Sequence, residues 1–439
     1  MAVKEEGLKR YVGVLGLTVN IINIIIGAGI FVIPALVAEN MGATSIVAYL
    51  FCGFLISLIM LCFAEAGSKI TDSGGGYAYG EAAFGKYPGF LMAVISLAAT
   101  LLADAVVANA LVDIIGTSFP IFKTELVRVG FFIILFYGLA IINIIGIKQG
   151  IGLVKIITFL KLIPLFLLIT IGWKDVEFSN LIWESSPTIK HIGETTIILI
   201  FAFQGGDVGL MIGGEIKNPK KTIPKSIFIA IFVVLLFYML IQGVSQGVLG
   251  DELVNFKKDP LAQTANIIFG PIGYTILFIG AAISMFGNLT GEILNNPRML
   301  FATARKNVIP IKKLALIHPN YKTPYVSILI YASIGFLLAT FGGFEKLISV
   351  ASSAALLYYL GVVLSVIQLR RIRKTEPDEF EIPGGYTVPI LSIIIILYLL
   401  STLTRYEKIG MVIFIGVLSI IYFGIIFLRK SKKIESNYD

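Results

Sequence analysis

Four ionisable residues stand where a chain would be expected to avoid charge. Lys161 lies near the middle of the apolar run 151–172, about ten residues from either end, while Asp104, Asp207 and Glu292 interrupt the runs 88–112, 193–214 and 272–302. At the centre of a bilayer such a charge costs about 3 kcal/mol to insert. Escape to the interface would require Lys161 to reach about 15 Å, farther than a lysine stem extends. It is therefore expected to face protein or enclosed water. A lysine withdrawn from water becomes able to gain and lose a proton near neutral pH, so Lys161 is a candidate proton carrier, with a fixed structural cation as the alternative. The three acids either favour a cationic ligand or balance Lys161. Lys155, nearer one end of its run, is expected to snorkel.

A second group consists of small residues. Gly27-Ala28-Gly29 interrupts the run 12–38, and Gln204-Gly205-Gly206-Asp207 interrupts 193–214. Glycine at that depth weakens a helix and frees backbone N–H and C=O groups, which persist in lipid only where they line a cavity or bind something. The two breaks fall five spans apart, at matching places in two five-span halves. An odd number of spans per half inverts the second copy, the arrangement of inverted-repeat transporters. Close packing of small residues competes as an explanation for either break alone; the matched pair favours a binding site.

The elements that must hold these residues follow from composition. Of 439 residues, 57% are hydrophobic and 14% charged, and the mean hydropathy is +0.90. A soluble domain carries about 25% charge. Spans are expected near 12–38, 43–66, 88–112, 128–147, 151–172, 193–214, 225–249, 272–302, 324–341, 346–368, 387–403 and 409–428, about twelve in all. The uninterrupted apolar run 227–241 lacks the alternation of a membrane β-barrel strand. The net charge of +8 does not point to nucleic acid, because about 25 of the 35 Lys and Arg gather in alternate loops starting at the N-terminus, the positive-inside pattern. Both termini are accordingly expected to be cytoplasmic, with 1–11 as an N-terminal segment and 429–439 as a basic tail. The first apolar stretch is too long for a signal-peptide core and reads as a retained span.

Other chemistry finds little support. Cys52 and Cys62 stand about 15 Å apart along one helix, too far for a disulfide. His191 and His318 lie in loops without a ligand cluster, so no metal site is expected. The stretch from Gly80 to Lys86 begins like a phosphate-binding loop, but Tyr87 replaces the Ser/Thr and no strand precedes it. Asn288-Leu289-Thr290 is a glycosylation sequon inside a span, out of reach of modification. Neither a nucleophile–base pair nor a cofactor motif suggests an enzyme. A channel built on rings of polar residues remains the alternative membrane class.

Five stretches form a set: Gly27-Ala28-Gly29-Ile30-Phe31; Gly74-Gly75-Gly76-Tyr77-Ala78-Tyr79 with Phe84-Gly85 and Gly89-Phe90; Phe201 to Asp207 with Gly214-Glu215-Ile216-Lys217-Asn218-Pro219 and Pro224; Pro297 to Ala302 with Ala304-Arg305 and Pro310; and Phe380 with Pro383-Gly384-Gly385. Together they resemble motifs of the amino acid-polyamine-organocation transporter superfamily. Agreement runs in order from about residue 12 to 428. The resemblance implies an all-α membrane protein with about 12 transmembrane helices, a leucine transporter-like 5+5 inverted repeat with broken helices 1 and 6. Residues 12–368 would form a ten-span core with repeats at about 12–172 and 193–368, and 387–428 would add two peripheral spans.

The implied activity is secondary amino acid transport by alternating access at the plasma membrane, with no cofactor and an amino acid as substrate. The N–H groups of Gly27, Ala28, Gly29 and Ile30 would receive the α-carboxylate. Carbonyls of Ile25, Phe201, Ala202 and Gln204 would accept from the ammonium, beside Gly205, with Phe201 and Phe203 as an apolar cover or as ordinary packing. The stretch Phe159 to Pro164 resembles that of proton-coupled members, where such a lysine replaces a sodium ion between spans 1, 5 and 8. Lys161 thus becomes the proton-coupling candidate, with Asp207, Glu292 and Asp104 as further coupling or gating positions. Glu292 departs from the uncharged residue expected after Asn288 to Gly291. Exchange, sodium coupling through Ser284 and Thr290, and cationic amino acid or polyamine transport are the alternatives.

Overall fold

The computed structural model describes residues 10–309, 311–341 and 344–435. The N-terminal stretch with Lys4 and Lys9, Pro310 and the last residues of the basic tail lie outside them. The helices are, in order, α1 (Val14–Ile25), α2 (Gly29–Met41), α3 (Ser45–Lys69), α4 (Gly76–Phe84), α5 (Lys86–Ser118), α6 (Glu125–Ile145), α7 (Ile147–Ile171), α8 (Ile189–Phe203), α9 (Pro219–Leu249), α10 (Pro260–Asn295), α11 (Pro297–Arg305), α12 (Tyr325–Phe341), α13 (Phe344–Ile372), α14 (Thr387–Thr402) and α15 (Arg405–Glu435). No strand forms among the described residues, apart from one isolated bridge between Val12 and Ile216.

Eight helical stretches of the described residues are long and apolar enough to cross a membrane, and α1, α12 and α14 are shorter apolar helices. Large side chains such as Leu126, Ile134, Phe232, Ile272 and Phe341 are exposed on the outside of the bundle. A helix can present such a surface only to lipid, because in water an apolar belt of this extent would drive association. The protein is a multi-pass membrane protein. The apolar part of α15 is just 11% buried, and that helix touches the rest through α5.

Local chemistry sets the interruptions. Ile26 leaves the helical region (φ −77°, ψ 82°), and the Gly27 N–H turns back to the Ile25 carbonyl at 2.9 Å. The chain then restarts as α2. The run 193–214 breaks harder: α8 stops at Phe203, and only two short 3-10 turns, Val208–Leu210 and Gly213–Glu215, follow before α9. Gly205 has φ +98°, which a side chain disfavours. α10 is bent at Gly270 (φ 68°) just before Pro271. Expected span 7 starts earlier than its apolar run, since Pro219 opens α9 at a position where a missing N–H costs nothing.

The halves on either side of each break pack crosswise. α2 packs against α8, whereas α1 contacts the 3-10 turn that follows the second break and also α7, α9 and α10. α5 lies along α13, and α3 along α9.

Candidate functional site

Breaking a helix orphans the carbonyls of its last turn, and at the end of α1 side chains from three other helices occupy them. The Lys161 ammonium on α7 donates to Asn23 O at 2.7 Å and to Ile26 O. Ser284 Oγ on α10 lies 2.9 Å from Ile26 O and 3.2 Å from Gly27 O, and Asn288 Nδ2 donates to Ile24 O. The Tyr238 hydroxyl on α9 reaches Ile25 O at 3.0 Å. A cation at the carbonyl end of a half-helix also opposes its dipole favourably. Lys161 is fully buried, in keeping with its expected inability to snorkel.

Tyr238 joins the two breaks, because its hydroxyl also lies 2.8 Å from Ala202 O. At Gly29 the backbones nearly touch: an added Cβ would fall 2.6 Å from Ala202 Cα. At Gly205 it would fall 2.6 Å from Ile24 Cγ2, and at Gly27 2.9 Å from Asn288 Cγ. Close packing therefore operates at these glycines together with the exposure of backbone groups. Phe203 is held edge-on between Tyr238 and Tyr49, with ring centroids at 4.8 and 6.5 Å. Ordinary packing describes it.

The expected substrate-binding groups are partly occupied. Gly27 N–H is spent on Ile25 O, and that carbonyl shares the single Tyr238 hydroxyl proton with Ala202 O. Gly29 and Ile30 open α2, with Ala28 preceding them, so their N–H groups fall where no intrahelical carbonyl is available. Ala202 O keeps one lone pair beside its bond to Tyr238. Phe201 and Ala202 are buried, and Gln204 borders a cavity.

That cavity, about 20 Å³, is lined by Thr100, Gln204, Gly205, Asp207, Glu292 and Tyr359 among others. A water requires about 10–15 Å³ of such volume, so the space admits water but not an amino acid. Asp207 Oδ1 accepts from the Tyr359 hydroxyl at 3.0 Å. Glu292 Oε2 accepts from Asn296 Nδ2 at 2.5 Å. Asn296 Nδ2 also reaches the Tyr331 hydroxyl at 2.9 Å, and Tyr331 donates to Asp104 Oδ2 at 2.8 Å. Asp104 is thus linked to Glu292 through two side chains while not lining the cavity itself. The second Asp104 oxygen is buried without a partner.

Sequence reasoning overlooked the asparagines and tyrosines. Asn20 and Asn295 exchange amide hydrogen bonds at 3.1 and 3.3 Å, and Asn23 donates to Gly287 O at 2.7 Å, fastening α1 to α10. A polar residue repeated along an apolar run is a usable signal. Tyr238, Tyr331 and Tyr359 carry no such signal, because tyrosine also serves as bulk. The sequon residue Asn288 is buried in the site. Thr290 bonds back to Phe286 O in its own helix at 2.8 Å.

Comparison with known proteins gives the family. The sequence profile described as "Amino acid permease" matches residues 12–428. The chain is 28% identical to the serine/threonine exchanger SteT of Bacillus subtilis (strain 168), covering 97% of this chain and 98% of that one. It is 24% identical to the branched-chain amino acid permease BcaP of the same organism, over 98% and 96% of the two chains. Against Asc-type amino acid transporter 1 of Mus musculus the identity is 25%, over 98% and 84%. These relatives are transporters rather than enzymes. The chain therefore belongs to the amino acid permease family, within the amino acid-polyamine-organocation superfamily.

Proposed function

We propose that this protein is a secondary amino acid transporter working by alternating access, with proton symport through Lys161 as its coupling mode. The observation that carries the reading is the capture of two α1 carbonyls by a fully buried ammonium. An ammonium has three N–H donors and a neutral amine two. Lys161 can thus give up a proton and still serve both Asn23 O and Ile26 O. What changes is the charge at the end of the half-helix, and with it the electrostatic hold on the break. Sodium is disfavoured in the expected place, since Ser284 shares Ile26 O with the ammonium and a second cation would stand beside the first.

The N–H groups of Ala28, Gly29 and Ile30 would receive the substrate carboxylate and the remaining lone pair of Ala202 O its ammonium. Because the cavity beside Gln204, Asp207 and Glu292 is too small for an amino acid, transport requires the two broken segments to move apart. The reading includes a 5+5 inverted repeat, which the crosswise packing of α1 and α2 against the second break supports, and twelve spans with both termini cytoplasmic at the plasma membrane, which the positive-inside charge pattern supports.

Exchange is a second reading, favoured by the likeness to a serine/threonine exchanger. Uptake into proteoliposomes of all standard amino acids and polyamines, at acidic and neutral pH, tests the proposal. Accumulation driven by an inward proton gradient without sodium is expected. Uptake that needs an internal amino acid and ignores the gradient would establish exchange, and flux without saturable counterflow would indicate a channel.

A further inference from the structure

Away from both breaks, a second cavity of about 280 Å³ lies where the start of α3, the segment after α7 and the far end of α9 meet. Both tryptophans of the chain line it, Trp173 and Trp183, together with Leu181, Met239, Gln242 and Gln246. Its volume is more than ten times that needed by one water and near the lower bound for sites that take small organic ligands. None of its lining residues is charged.

Polar chemistry is concentrated at one wall. Gln242 is 1% exposed, and neither its Oε1 nor its Nε2 has a partner. Gln246, one turn later and 3% exposed, spends its Nε2 on Gly250 O at 3.3 Å but leaves Oε1 unpartnered. Buried amides are ordinarily satisfied, because an unpaired one has lost water and gained nothing. Two acceptors and one donor group thus stay unpaired and buried on two residues that line the cavity beside indole and aliphatic carbon. A primary amide, with two N–H groups and one carbonyl, complements that set, and a hydroxyl complements part of it. A carboxylate or ammonium would bring a charge without a counter-charge.

We propose that this cavity is a binding site for an uncharged amphiphile whose amide or hydroxyl head pairs with Gln242 and Gln246 while its apolar body lies against Trp173 and Trp183. The site shares no residue with the broken segments, yet Gln242 follows Tyr238 by one turn of α9. Its occupant comes either from the membrane, as a neutral glyceride, or from solution.

The two tryptophans make binding directly observable, since their emission reports this cavity in the full-length protein. Benzamide is expected to change that emission saturably, while benzoate, benzylammonium and N,N-dimethylbenzamide, which lacks the N–H groups, do not. Gln242→Leu is expected to weaken benzamide about tenfold, the equivalent of one or two hydrogen bonds, and Trp183→Phe to diminish the signal. Equal responses to benzamide and its dimethyl analogue in the unmodified protein would overturn the proposal, independently of how any variant folds. Unchanged affinity in a folded Gln242→Leu protein would also overturn it. Competition by monoacylglycerol in phosphatidylcholine vesicles supports a membrane source, and benzamide binding without that competition supports a soluble one.

Discussion

At the scale of single residues, the site is a matter of who satisfies a severed helix. Lys161 stood out from sequence because charge in an apolar run is expensive, and the structure gives it two carbonyl partners. Gly27 and Ile25 were expected to offer a free N–H and a free carbonyl, yet they bond to each other; a tight turn of that kind depends on local dihedrals that residue types do not specify. Tyr238 was invisible among the aromatics of α9, although it touches both breaks. Replacing Tyr238 with Phe keeps the ring and removes the hydroxyl. Hydrogen bonds between helices in membranes are worth about 1 kcal/mol, so Tyr238→Phe is expected to fold, to lose stability by about that amount in thermal denaturation, and to transport more slowly. Wild-type uptake in that variant would show that the hydroxyl bridge does not matter to transport.

At the scale of elements, the two glycine interruptions were legible because helix-breaking residues in an apolar run have no cheap explanation. Their form was less so: the run 193–214 reads as one interrupted span, but beyond Phe203 it contains only 3-10 turns. Hydropathy registers burial in lipid, not which hydrogen-bond pattern the backbone adopts. The short helix α4 and the bend at Gly270 were likewise hidden, since each depends on glycine dihedrals. The contact between α2 and α8 yields a sharp expectation. Gly29→Val would drive a side chain into the Ala202 backbone, at about 1–3 kcal/mol or more for overpacking, and transport should be lost. Gly138→Ala in α6, where nothing lies within 4 Å of the added Cβ, should leave uptake unchanged and stability equal or slightly higher. Parallel uptake and melting measurements on both variants decide the matter, and comparable losses in the two would refute a special role for Gly29.

At the scale of the whole molecule, one end of the bundle is tied by ions while its middle is tied by carbonyls. Glu65 near the end of α3 receives Lys69 at 2.7 Å, two nitrogens of Arg370 and the Ile382 N–H at 2.9 Å. The side chains of Glu65 and Lys69 are wholly buried. Removing one member of such a group strands the others, typically at about 3–5 kcal/mol. Glu65→Ala should therefore lower the thermal stability of the purified protein far more than Glu39→Ala, which breaks an exposed pair with Lys257. Similar melting of the two variants would remove Glu65 from the structural framework. Lys69 stands one turn from Glu65 in the same helix, but that Glu65 also collects Arg370 and Ile382 was hidden in the sequence, because these two lie more than 300 residues away. Coupling is the property of the whole assembly, and it is tested most directly by amino acid accumulation in proteoliposomes under an inward proton gradient, sodium absent, comparing wild type with Lys161→Ala. We predict accumulation by the wild type, and in Lys161→Ala its loss while exchange of one amino acid for another continues. Gradient-driven accumulation that persists in Lys161→Ala would contradict proton coupling through Lys161.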